Sequence, residues 1–334
     1  MTTPSTHIAI IGAGPVGLFA VFQAGMLGLT CAVVDALDEV GGQCSALYPE
    51  KPIYDIPGYP RIAAQELVEQ LRTQAAPFNP RYLLGQQAVS LAQDGDGWRV
   101  GTSKGESIAA KAVIIAAGSG AFGPNRPPLA GIEQYEGRGV QYLVRRREDY
   151  RGRRVVIAGG GDSAVDWALS LSEVAARVMV VHRRAKFRAA PESERQLNEL
   201  AAAGRIDMVV PYQLHALDGD GQALKAVIVQ DLDGNERRLE ADVLLPFFGL
   251  STDLGPIASW GAAIEKHHIT VTPATCETSV PGLYAIGDIA TYPGKLKLIL
   301  TGFAEAAQAA HAIWPRVFPD RALHFEYSTT RGVP

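Results

Sequence analysis

The chain has 334 residues, 47% hydrophobic and 20% charged, with 35 Gly, 21 Pro, 3 Cys and a formal net charge of −4. That length makes one large or two ordinary domains, the charge content excludes a disordered chain, and the balance excludes a global basic field for nucleic acid. Three cysteines exclude a disulfide framework and any Cys-rich zinc module, and no metal site is expected.

Residues 8–34 form an uncharged run of 27, long enough for a membrane span on hydropathy alone. Gly12, Gly14, Pro15, Gly17 and Gly25 interrupt it, and it divides into a β-like stretch (8–11), a helix-like stretch and a second β-like stretch (30–34). This reads as a soluble βαβ unit. No basic leader with a small-residue cleavage site marks a signal peptide, so a cytoplasmic protein without membrane association is expected. Inside the run, Gly12, Gly14 and Gly17 give G-x-G-x-x-G. Gly12 permits the sharp turn, Gly14 lets the backbone approach a pyrophosphate, and Gly17 allows close helix–strand packing; the helix N-terminus then meets the anion with free N–H groups. Asp35 closes the second strand 21 residues after Gly14, where a carboxylate accepts hydrogen bonds from an unphosphorylated ribose. Cys31 reads as core. Cys44, in GGQCSALYPEK, reads either as a small packing residue or as a lone redox thiol.

A buried strand (112–116) exits through AAGSGAFGP, and Pro124, Pro127 and Pro128 follow as a stiff linker. Residues 138–195 hold 13 Lys and Arg against 7 Asp and Glu, densest in RRREDYRGRR at 145–154. This is a solvated face or a docking patch for an acidic electron carrier. A second glycine turn follows the strand 155–158, with Gly159, Gly161 and Ala164 as G-x-G-x-x-A. Its second strand closes on His182, Arg183 and Arg184 instead of an acid, with Arg188 beyond. Guanidinium forks suit a 2′-phosphate, which a carboxylate would repel. Residues 245–249 offer a return crossing. Near the end, a strand (283–286) leads into Gly287 and Asp288, at the C-terminal strand edge where open α/β sheets bind ligands. A helix starting near Gly302 either points its N-terminus at a ligand or is an ordinary buried helix.

Two dinucleotide sites of opposite ribose chemistry imply FAD and NADP(H), and hydride transfer between them. The fold class that follows is α/β, with two Rossmann-like, three-layer ββα nucleotide-binding domains. The NADP-binding domain (122–245) is inserted into the FAD-binding domain (1–121 and 246–334), and its two crossings are a candidate hinge. Asp288 is assigned to the flavin's ribityl or phosphate region. No C-x-x-C pair occurs anywhere, so an internal dithiol relay is not expected and the flavin delivers electrons directly.

In chain order, IGAGPVGLFA, GGQCSALYPEKPIYDIPGYP, AAGSGAFGP, GGGDSAVDWAL, HRRAKFRA, AIGDIATYPGK, TGFAEA and EYSTT resemble the thioredoxin-reductase-like ferredoxin/flavodoxin–NADP reductases over nearly the whole length. Thioredoxin reductases lack the ALYPEKPIYDIPG and EYSTT stretches and carry C-x-x-C where this chain reads GVQYLVRR. The resemblance implies an enzyme that moves electrons between NADP(H) and ferredoxin or flavodoxin, working as a homodimer. It matches Asp35, Gln43, Tyr48, Val89, Phe122, Asp288 and Thr329 to FAD-contacting positions. Tyr48 then stacks on one flavin face and Tyr327 covers the other, with Ser328 and Thr329 near the reactive edge. Two other readings stand beside it: an NADPH-dependent disulfide or quinone reductase using Cys44 or bare flavin, and a non-enzymatic flavin redox sensor.

Overall fold

A computed structural model describes residues 5–324 and Gly332; for 121–124 and 250–252 it describes the backbone alone. The chain divides into two compact units, one of Met1–Phe122 with Thr252–Pro334 and one of Gly123–Ser251. The return crossing lies after Ser251 because Val243–Pro246 completes a strand of the second unit. Among the described residues no helix is long and apolar enough to cross a membrane.

In the first unit, strand β1 (Ser5–Ile11) pairs in parallel with β2 (Cys31–Val34) and with the strand Ser107–Ile115; Arg81–Leu83 and Leu283–Ala285 extend the sheet at its two sides. Parallel strands buried on both faces read as continuous apolar runs, as IAII, CAVV and AVII do here. Side chains alternate between the faces. Ile8, Ile10, Val33, Ala112 and Ile114 pack against helices α1 (Pro15–Met26) and α6 (Ile299–Val317). Ala9, Ile11, Val34, Val113 and Ile115 face the antiparallel layer that includes Val100 and Ile108, together with Ile257 and Trp260. The result is three layers: helices, parallel sheet, β-meander.

The second unit repeats this plan. Four parallel strands run in the order Ile206–Val209, Arg177–Val181, Arg154–Ala158, Val243–Pro246. One face meets the antiparallel meander Gln213–Gly219, Leu224–Gln230 and Glu236–Glu240 through Val156, Met179, Val227 and Val229. Helices α4 (Asp162–Leu171) and α5 (Pro191–Ala202) complete it.

The helix expected near Gly302 begins earlier, at Ile299. Gly302 lies inside α6, where a Cβ would overlap the Val16 side chain, so this glycine serves helix packing and not a helix start. The short helix α2 (Gln43–Ala46) and helix α3 (Ala64–Ala75) also belong to the first unit, α3 burying Leu67, Val68 and Leu71.

Candidate functional site

The first glycine turn joins β1 to α1. Gly12 has φ +111°, and a Cβ there would overlap the Ala116 carbonyl oxygen; one at Gly17 would overlap the Gly12 carbonyl. Both glycines are required by the protein's own packing. Gly14 differs: its φ is −69° and nothing lies within 4 Å of where a Cβ would stand. The fold itself would accept a side chain there, so the empty space is available to a ligand. Pro15 at the first helical position pre-sets the α1 start, leaving that end's N–H groups pointing outward.

That space opens into a cavity of about 360 Å³ lined by Gly12, Gly14, Asp35, Gln43, Cys44, Tyr48, Gln87, Ala88, Asp288 and Ile299, among others. Asp35 accepts hydrogen bonds from the N–H groups of Ala13 (2.6 Å) and Leu37 (2.9 Å). Burial raises its pKa from the ordinary aspartate value, and those two bonds act in the opposite direction. Two bonds leave acceptor capacity on the carboxylate for a diol. The segment carrying Gln43 and Tyr48 is tied to the turn by Gly41 N–H to Ala13 O (2.8 Å), and Gln43 Nε2 donates to Ser119 Oγ (3.3 Å). Burial pushes the Cys44 thiol up to about 11 and also raises the Tyr48 hydroxyl. Asp288 enters from the one-turn helix Gly287–Ile289, just past Leu283–Ala285.

The second turn joins Arg154–Ala158 to α4 and repeats the division of labour. A Cβ on Gly159 would stand 2.7 Å from the Phe247 carbonyl oxygen, whereas Gly161 has nothing within 4 Å and an extended backbone (φ −100°, ψ 179°). Ala164 fits where the first turn needs Gly17. The His182 ring lies over Gly160 and near Phe187 (5.0 Å between centroids), with Nε2 buried and without a hydrogen-bond partner among the described residues. Burial is the main cause holding its pKa below the ordinary histidine value. Arg183, Arg184 and Arg188 are exposed, and among the described residues none of their side chains makes an ion pair. The Arg188 N–H donates to Gly160 O (2.6 Å), docking the basic loop on the glycine turn.

Of the site residues named from sequence, Gly12, Gly14, Asp35, Gln43, Tyr48 and Asp288 line one cavity. Val89 does not: its side chain is exposed, and Gln87 and Ala88 line the wall beside it. Phe122 lies on the strand Ala121–Pro124, and its side chain is outside the description. Tyr327, Ser328 and Thr329 lie outside the described residues. The 145–154 arginines are not a bare patch: Arg146 pairs with Asp149 (2.9 Å), Arg147 with Glu173 (2.9 Å), Arg151 with Glu148 (2.6 Å) and Arg154 with Asp242 (2.6 Å). Sequence reasoning missed Gln87 and the buried Glu305, although Glu305 is the sole charged residue in ILTGFAEAAQAAHAI and stands on the face of Gly302 and Ala309.

Residues 6–312 match the model of the pyridine nucleotide-disulphide oxidoreductase family. A Paramagnetospirillum magneticum protein named Ferredoxin--NADP reductase is 65% identical, covering 100% of this chain and 99% of its own. A Rickettsia felis protein of the same name is 59% identical, covering 98% of each. Among solved structures, T. acidophilum thioredoxin reductase is similar with a TM-score of 0.81 and 25% identity, over 94% of this chain and 99% of that one. Lactococcus lactis thioredoxin reductase shares the fold with the same TM-score, 23% identity and the same coverage.

Proposed function

The chain belongs to the pyridine nucleotide-disulphide oxidoreductase family, and within it we propose an NADPH-dependent flavoprotein that carries electrons between NADP(H) and ferredoxin or flavodoxin. FAD occupies the unit of residues 1–122 and 252–334; NADP(H) binds the unit of residues 123–251. The observation that carries this reading is the pair of spaces at Gly14 and Gly161, each at a helix N-terminus and each unexplained by packing. Relatives 59–65% identical over nearly the full chain and named Ferredoxin--NADP reductase support the choice of acceptor.

The residues fit such a pair of ligands. Gly14 and the α1 N-terminus receive the FAD pyrophosphate, and Asp35 accepts from the ribose hydroxyls. Gln43, Asp288 and the main chain near Val89 line the remainder, with Phe122 at the exit strand. Tyr48 offers its ring to one face of the flavin and excludes water there; Tyr327, Ser328 and Thr329 are proposed for the opposite side. Gly161 and the α4 N-terminus hold the NADP pyrophosphate, and Arg183, Arg184 and Arg188 take the 2′-phosphate as charge-assisted forks. His182, neutral and packed on Gly160, shapes that pocket. Bound FAD supplies the exchange between a two-electron hydride and one-electron carriers. The three cysteines are buried and free, which suits a cytoplasmic setting. Exposed Tyr54, Tyr59, Leu296, Leu298 and Leu300 are surface that a second copy would cover in a homodimer.

The disulfide-reductase reading is disfavoured by Cys44 itself. A thiol buried and raised to about 11 is protonated at neutral pH and a poor nucleophile. Purified protein should be yellow and should reduce ferredoxin with NADPH far better than with NADH. A colourless chain that does not retain added FAD would overturn the proposal.

A further inference from the structure

We infer that Glu305 is a positioning residue for the flavin cavity, its buried carboxylate tying the segment that carries Asp288 to helix α6. Glu305 is 1% exposed. Its Oε2 accepts from the Gly287 N–H (2.7 Å); its Oε1 accepts from the Tyr292 hydroxyl (2.7 Å) and from the Lys295 ammonium. Lys295 is buried as well, with its side chain 5% exposed and Nζ 5.4 Å from the Tyr292 ring centroid. Donors from 287, 292 and 295 thus converge on one side chain of α6. The loop they close begins at Gly287 and Asp288, and the helix they close it onto begins at Ile299; these three residues line the cavity, whereas Glu305, Tyr292 and Lys295 do not.

Stability alone gives a weak reason for this arrangement. A buried ion pair is costly to desolvate, and a well-packed apolar pair of similar volume is often at least as stable. An apolar pair has no acceptor for the Gly287 N–H, which sits in buried backbone at φ +74° and turns the chain toward Asp288. A main-chain donor left without a partner there would relax toward one elsewhere, and Asp288 would move with it. Glu305 therefore fixes where Asp288 stands relative to the α6 N-terminus, acting through both and touching no ligand itself.

This inference rests on the FAD site proposed above, and its test separates the two. FAD is removed, and fluorescence quenching follows its rebinding to wild type and to Glu305→Leu/Lys295→Met, which exchanges the ion pair for apolar side chains. The double variant should bind FAD about tenfold or more weakly, as losses of outer partners commonly do, while NADP+ affinity for the other unit stays unchanged. Glu305→Gln, which keeps an acceptor for Gly287, should lose less; should the double variant not fold, Glu305→Leu alone takes its place in that comparison. An affinity of the acceptor-less variant within about twofold of wild type would overturn the positioning role, as would equal losses in it and in Glu305→Gln. Wild-type apoprotein that takes up no FAD would overturn the functional reading instead.

Discussion

The two glycine turns of this chain share a backbone plan and differ in what surrounds it. Around the first, Asp35 is partly buried, hydrogen-bonded to the N–H groups of Ala13 and Leu37, and lines a cavity with Tyr48, Cys44 and Asp288. Around the second, Arg183, Arg184 and Arg188 are exposed and make no ion pairs among the described residues. A ligand held by burial exchanges slowly, whereas one held by exposed charge-assisted contacts arrives and leaves during turnover. On the function proposed above, the contrast fits a resident flavin in one unit and an exchangeable nicotinamide nucleotide in the other.

The strongest way to break this contrast is to fill the two empty glycine positions. Gly14→Val should fold, because nothing stands within 4 Å of the new Cβ, yet it should lose visible flavin absorbance and with it all turnover. Gly161→Val should keep its flavin and lose NADPH-dependent reduction. Loss of flavin from both would erase the distinction between the turns. Next in size is the basic loop. Replacing Arg183 and Arg184 with Ala removes two charge-assisted bonds and should raise the KM for NADPH by about tenfold to a hundredfold, with NADH kinetics nearly unchanged; equal losses for both nucleotides would remove the 2′-phosphate assignment. Cys44 sharpens the contrast from the first site. With its thiol near 11, the thiolate fraction at pH 8 is about one in a thousand. Alkylation of Cys44 should therefore be slow at pH 8 and accelerate only as pH climbs toward 11. Cys44→Ser should retain nearly full ferredoxin reduction. The smallest effect is expected at Arg146 and Arg151. Both already pair with acids in their own turn, so changing both to Ala should shift carrier KM and its salt dependence only slightly.

What the sequence made legible was local. Gly12, Gly14 and Gly17 encode the turn within six residues, and the distance to Asp35 is set by one helix and one strand. The paired three-layer plan was legible for the same reason, since each unit is built from a contiguous βαβ motif. Contacts between distant segments were not. Arg154 is neutralised by Asp242, 88 positions away, so a running charge count overstated the basic face. Glu305 meets Gly287 across 18 positions, and only the folded α6 reveals that the sole acid of an apolar helix faces inward. The side-chain direction at Val89 was not legible either: Val89 is exposed, whereas the neighbouring Ala88 is buried and lines the cavity.

The main-chain bond from Arg188 to Gly160, with the His182 ring laid over the same glycine, ties the basic loop to the glycine turn, so that on the proposed reading coenzyme selection and pyrophosphate geometry share one anchor. Engineers wishing to recruit the cheaper unphosphorylated coenzyme would disturb that anchor by transplanting a whole foreign loop. Point replacements at 183 and 184 leave it intact, which makes them the gentler route to a switched preference.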